Sequence, residues 1–288
     1  MRRPIAILLI GIASVLLACA SACAEDAVLD ISGFQEKSAP GLRGGETVLI
    51  KLSGKVSHAQ LADYHAVTPG VLVWFAELPD SKNLDIRSDE TGWWSVSVKK
   101  YKGAPAGLSP VYEKKGWITT KSNVIAVQDR DITDLAIQYI DPNFFRLLIR
   151  PGVQLMIRKM LPPGADSAFR NAIVVTVGKS WASIHDDRLP HGDPGALCPA
   201  IPGAVGPLYF DESVRPNPEY RQTSVDGGVA WVNVPPGEYT LGAEKPGVEY
   251  QPVRFVVAPE DEAAGIVLYI ASPPHGIQGD NGSEPGKP

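Results

Sequence analysis

The amino-acid sequence predicts an all-β protein: two β-sandwich domains joined by a short helical connector. Three observations predict it. Short apolar segments, several with a two-residue period, recur between polar turns. Glycine (28) and proline (26) are abundant, yet 44% of the 288 residues are hydrophobic, which fits many turns between short strands rather than disorder. The texture turns helix-like at Asp141-Pro142 and strand-like again after Pro162-Pro163-Gly164.

The first 24 residues read as an export signal. Arg2 and Arg3 are followed by an uncharged, mostly apolar run from Ile5 to Leu17, then by small residues from Ala18 to Ala24. The run is short of the roughly 20 apolar residues that span a bilayer. Two endpoints fit. Ala22-Cys23-Ala24 allows cleavage before Glu25, whereas Leu16-Leu17-Ala18-Cys19 resembles a lipobox with Cys19 as the lipidated first residue. Leu17 is larger than the residue usual at its lipobox position. Residues 25–45 read as a tether. Loss of Arg2 and Arg3 makes the formal charge of −5 more negative, which argues against a nucleic-acid partner. The expected location is extracytoplasmic, periplasmic or envelope-anchored, with membrane contact only through a lipid anchor.

The first sandwich is expected over residues 46–141. Thr47 to Val56 and Val71 to Glu77 are strand candidates. Ser88 to Gly92 is a polar turn leading into the strand Trp93 to Val98. Trp117 to Thr120, Asn123 to Val127 and Ile132 to Ile140 follow. Residues 142–164 form the connector, with Phe144, Phe145, Leu148, Leu155 and Met156 at helical spacing.

The second sandwich is expected over residues 165–271. Its strands are Ala172 to Val177, Gly206 to Phe210, Ala230 to Val234, Glu238 to Glu244, Val253 to Val257 and Ile266 to Ile270. Asp226-Gly227-Gly228 forms a tight turn, and Pro235-Pro236-Gly237 reverses the chain so that the next strand runs back. From Ser272 to Pro288 the tail reads as disordered.

Thr223 to Ala243 carries a T…D-x-x-G turn, an apolar strand and then V-P-P-G-x-Y-x-L. This stretch resembles the carboxypeptidase regulatory-like domains, and Gly54 to Val56, Pro69 to Val73 and Ser88 to Val96 carry a weaker version in the first block. The resemblance implies Ig-like or transthyretin-like sandwiches and a non-catalytic accessory role on a secreted or surface protein. It brings no peptidase site, and no H-E-x-x-H pattern occurs.

Three features bear on chemistry. His185, Asp187, His191 and Asp193 lie on one polar loop, and imidazole with carboxylate is a metal-binding combination, though the spacing matches no standard signature. A solvated loop is the plainer reading, so no cofactor is expected. Trp93 and Trp94 are adjacent, so a strand points them to opposite faces, and an outward ring would suit stacking on a glycan. Core packing is the plainer reading there. Cys198 is a lone thiol without a nucleophile motif, and Gly178-Lys179-Ser180 lacks the leading glycine of a phosphate loop. The expected function is therefore binding or structural, toward a protein or glycan partner, and not enzymatic.

Overall fold

A computed structural model describes residues 27–59, 66–143, 145, 158–159, 168–179, 192–263, 265, 267–271 and 276–280. The export signal with Cys19, most of the connector, and His185, Asp187 and His191 lie outside the described residues. The chain is mostly β. In the first block the strands are β1 (Val28–Asp30), β2 (Thr47–Ala59), β3 (Ala66–Val67), β4 (Leu72–Phe75), β5 (Trp93–Tyr101), β6 (Ala106–Leu108), β7 (Pro110–Glu113), β8 (Thr119–Ser122), β9 (Ile125–Val127) and β10 (Ile132–Ile140). In the second they are β11 (Asn171–Lys179), β12 (Val205–Tyr209), β13 (Gly228–Val232), β14 (Gly237–Leu241), β15 (Glu249–Gln251), β16 (Val253–Val257), β17 (Val267–Ala271) and β18 (Ile277–Asp280).

A five-stranded sheet runs β1-β5-β2-β10, with β3 added to β2. A nine-stranded sheet runs β12-β13-β11-β17-β8-β7-β4, with β18 and β15 attached through β11. Two small ribbons, β14-β16 and β6-β9, complete the set. The nine-stranded sheet crosses the boundary expected between residues 141 and 165: β17 of the second block pairs in parallel with β8 of the first. The two blocks therefore share a sheet, where two separate sandwiches were expected. An edge strand leaves a row of unpaired backbone groups, and β8 and β17 satisfy each other.

Period-2 alternation divides the second block between two cores. On β11, β13 and β17, Ala172, Ala230, Val232, Leu268 and Ile270 enter one cluster with Leu52, Val56, Val96 and Ile137 of the five-stranded sheet. Their neighbours Ile173, Val175, Val229, Trp231, Val267 and Tyr269 enter a second cluster with Leu241, Phe255 and Val257 of the β14-β16 ribbon. Strands buried on both faces are apolar throughout, and β13 and β17 are buried at every residue.

Three expectations need correction. Residues 28–42 are not a free tether. They form β1, a helix over Ser32–Ser38 and a short 3-10 turn. Buried Gln35 accepts from the Tyr101 amide at 2.8 Å and donates to the Ala104 carbonyl at 2.9 Å, so it completes backbone groups at the end of β5. Part of the tail is also ordered, because β18 pairs with β11 and β15 and buries Ile277 completely. Finally, the strand after the reversal expected at Pro235 to Gly237 does not run back beside β13. β14 leaves its predecessor and pairs with β16 in the ribbon across the second core.

The residues of the regulatory-like motif have structural duties. Thr223 donates from Oγ1 to the Asp193 carbonyl at 2.6 Å and accepts from the Ala196 amide at 2.8 Å. Gly227 adopts φ +75°, which favours glycine, at the turn closed by its amide on the Ser224 carbonyl. Asn233 donates to the Ala168 carbonyl and accepts from the Arg170 amide, both at 2.9 Å. In the first block Gly54 is needed for close approach, since a Cβ there would sit 2.1 Å from the Leu135 carbonyl of β10.

Asp261, in the short helix Pro259–Ala263, binds the two blocks together. Its Oδ2 accepts from Lys121 Nζ of β8 at 2.7 Å, from the Tyr269 hydroxyl of β17 and from the Ala258 amide at 3.1 Å. Removing one partner of a buried ion pair strands the other. Asp261→Ala is expected to cost about 3 kcal/mol, read as a lower urea midpoint. A second expectation concerns Asp226. Burial raises its carboxyl pKa from 3.8 to about 6, against the opposing hydrogen bond from the Gly228 amide. The folded state thus binds this proton more tightly than the unfolded chain. The stabilisation is fully present below pH about 4 and is lost as pH rises through about 6. Asp226→Asn keeps an acceptor for Gly228 and is expected to stabilise by about 1 kcal/mol at neutral pH, with no gain near pH 3.5. Thermal melts at the two pH values check it.

Candidate functional site

The adjacent tryptophans separate as strand geometry requires. Trp94 is 2% exposed and lies in the first core, edge-on to Phe75 and Tyr112 at centroid distances of 6.5 and 6.3 Å. It offers no face to a glycan, so that part of the stacking expectation is corrected. Trp93 is half-buried on the opposite face.

Register defines Trp93's surroundings. Trp93 pairs with Lys55, Ser95 with Ser53, and Ser97 with Lys51. Residues directly opposite in an antiparallel pair share a face, so these side chains form one polar strip with Trp93 at its end. β1 pairs with β5 only over Ser97 to Lys99. Beyond it, the segment Leu84 to Asp89 runs past β5 while bonded to the other sheet, through the Ile86 carbonyl to the Val73 amide and the Ser88 amide to the Val71 carbonyl.

An open groove of about 570 Å³ lies between them, lined by Trp93, Ser53, Ser95 and Lys51 on the strip side and by Asp85 and Arg87 among the residues of the facing segment. Asp89 fixes the entry to β5. Its Oδ1 accepts from the Thr91 amide at 2.8 Å, the Thr91 hydroxyl at 2.7 Å and the Trp93 amide at 2.9 Å. These hydrogen bonds outweigh partial desolvation and hold its carboxyl below the usual carboxylate range. Asp85 and Arg87 form an exposed ion pair at 2.7 Å.

The loop expected to ligate metal is described only at Asp193, which is 1% exposed. Its carboxylate accepts from Lys245 Nζ and, at 2.7 Å, from the Tyr250 hydroxyl. Both oxygens are thus engaged within the protein, and Asp193 is corrected from a candidate ligand to half of a buried ion pair. Burial and the Asp193 carboxylate push the Tyr250 hydroxyl well above its usual range. Among the described residues no group of three or more His, Cys, Asp or Glu side chains is placed to hold a metal ion. Cys198 is buried, and burial pushes its thiol up to about 12, so it carries no thiolate at neutral pH. Among the described residues no helix is long and apolar enough to cross a membrane.

Sequence reasoning reached Trp93 but missed Ser53, Ser95, Lys51, Asp85 and Arg87. Alternation from Trp93 would have found Ser95. No local pattern reveals the facing segment, which belongs to the other sheet.

Fold and groove together define an all-β protein with an open cleft beside the edge of its five-stranded sheet. No family model matches the chain, and no curated protein matches it. Among solved structures, the Bacillus anthracis TIE protein aligns with 78% of this chain and 34% of its own, at 12% identity and a TM-score of 0.23. BcpA*(D312A), the major pilin subunit of Bacillus cereus, aligns with 78% of this chain and 99% of its own, at 8% identity and a TM-score of 0.19. The chain thus spans about a third of the length of the TIE protein. Likeness at this level carries no argument about function.

Asp89→Ala removes three hydrogen bonds from the turn before Trp93. It is expected to destabilise by about 2 kcal/mol, within the range for loss of a side-chain cap. Urea unfolding measures it, and a midpoint equal to that of the parent chain would show that the turn does not depend on Asp89.

Proposed function

We propose that this chain is an exported envelope protein with a binding role, not a catalytic one, and that its ligand occupies the groove beside Trp93. The groove is the observation that carries the binding role. It joins a partly exposed aromatic ring to hydroxyl and charged side chains, on a turn fixed by Asp89. Export rests on the layout of residues 1–24, ending at Glu25 or at lipidated Cys19. The regulatory-like motif supports an accessory module, since its Thr223, Gly227 and Asn233 serve the scaffold.

Two measurements test this reading. Expressed from Met1 in a bacterial host, the chain is expected outside the cytoplasm, with its N-terminus at Glu25 or acylated at Cys19. Full-length chain retained in the cytoplasm would overturn export. The purified mature protein is expected to sediment with isolated envelope fragments. Trp93→Ala should weaken that association about tenfold or more, as loss of a central aromatic contact does. Equal sedimentation of parent and variant would overturn the groove as the binding site.

A further inference from the structure

Resting on the groove as the binding site, we infer that its ligand is a neutral saccharide chain of pyranose units with equatorial substituents. Three features of the lining select this class. The first is the aromatic surface. Such a pyranose presents a flat face of C–H groups, and an indole ring offers a matching apolar face whose π-electrons attract weakly positive hydrogens. Both tryptophans border the groove, but Trp94 is 2% exposed and packed in the core, so Trp93, at the end of the polar strip, supplies the accessible indole face.

The second feature is the set of hydrogen-bonding groups. Ser53 and Ser95 stand opposite each other in register and both line the groove. A hydroxyl donates and accepts, which suits the hydroxyls of a sugar. Arg87 and Asp85 supply a fork of donors and a pair of acceptors on the facing segment.

The third feature is charge balance, which decides against other ligands. The groove is lined by two cations, Lys51 and Arg87, and two anions, Asp85 and Asp89. Arg87 is already neutralised by Asp85 at 2.7 Å. A phosphate, nucleic-acid or acidic-peptide site would gather cations in excess, and this lining does not. The groove is also open rather than enclosed, so it admits internal units of a chain as readily as an end.

Isothermal titration calorimetry of the mature protein with cellohexaose and with chitohexaose tests the inference. At least one is expected to bind. Trp93→Ala should weaken it about tenfold or more, Trp93→Phe less, and Ser53→Ala with Ser95→Ala several-fold, all with unchanged melting temperatures. If neither hexasaccharide binds at about 5 mM while envelope sedimentation still depends on Trp93, the saccharide class is overturned and the groove stands. If a hexasaccharide binds equally to Trp93→Ala, the saccharide does not occupy this groove. Tighter Trp93-dependent binding of inorganic polyphosphate than of either sugar would also overturn the neutral class.

Discussion

The structure depends on a nine-stranded sheet that is covered on both faces. Its central strands send alternate side chains into two separate cores, so every residue of β13 and β17 and most of β11 are buried. One core faces the five-stranded sheet, the other the β14-β16 ribbon. Burying both faces removes apolar area from water at about 25 cal/mol per Å², roughly twice over for each strand. It also leaves no tolerance for a register slip, because a shift by one residue would exchange the contents of the two cores. Trp231 illustrates the constraint. It is fully buried in the second core and donates from Nε1 to the Pro199 carbonyl at 2.9 Å, while its neighbours Ala230 and Val232 fill the first.

Strand positions were largely legible in the sequence. Ile132 to Ile140 and Val253 to Val257 coincide with β10 and β16, because each alternates over most of its length. Pairing was not legible. Nothing local to Thr119–Ser122 announces a partner at Val267–Ala271. The polar tail around Ile277 looks disordered until β11 offers it an edge. Gln35 reads as linker because its contribution lies in two backbone groups of a segment some 65 residues later, a relation that composition cannot express.

The candidate site was half legible for a related reason. Two adjacent tryptophans on a strand must face opposite ways, so one outward ring could be expected. Which of them faces outward depends on which face the nine-stranded sheet covers. Asp193 shows the reverse case. Its residue type fitted a metal ligand, but Lys245 and Tyr250, more than fifty residues away, had claimed its oxygens.

The pairing of β8 with β17 has a consequence for the order of assembly. A chain made from its N-terminus presents β4, β7 and β8 long before residues 267–271 exist. Until then one edge of that three-stranded piece is open and β11 lacks a neighbour. Contacts of such long sequence separation are closed late and slowly, since the loop entropy is lost before they form. The pairing of β8 with β17 therefore forms only after most of the chain has been made. The edge of β8 thus stays open, and able to pair elsewhere, until residues 267–271 reach it.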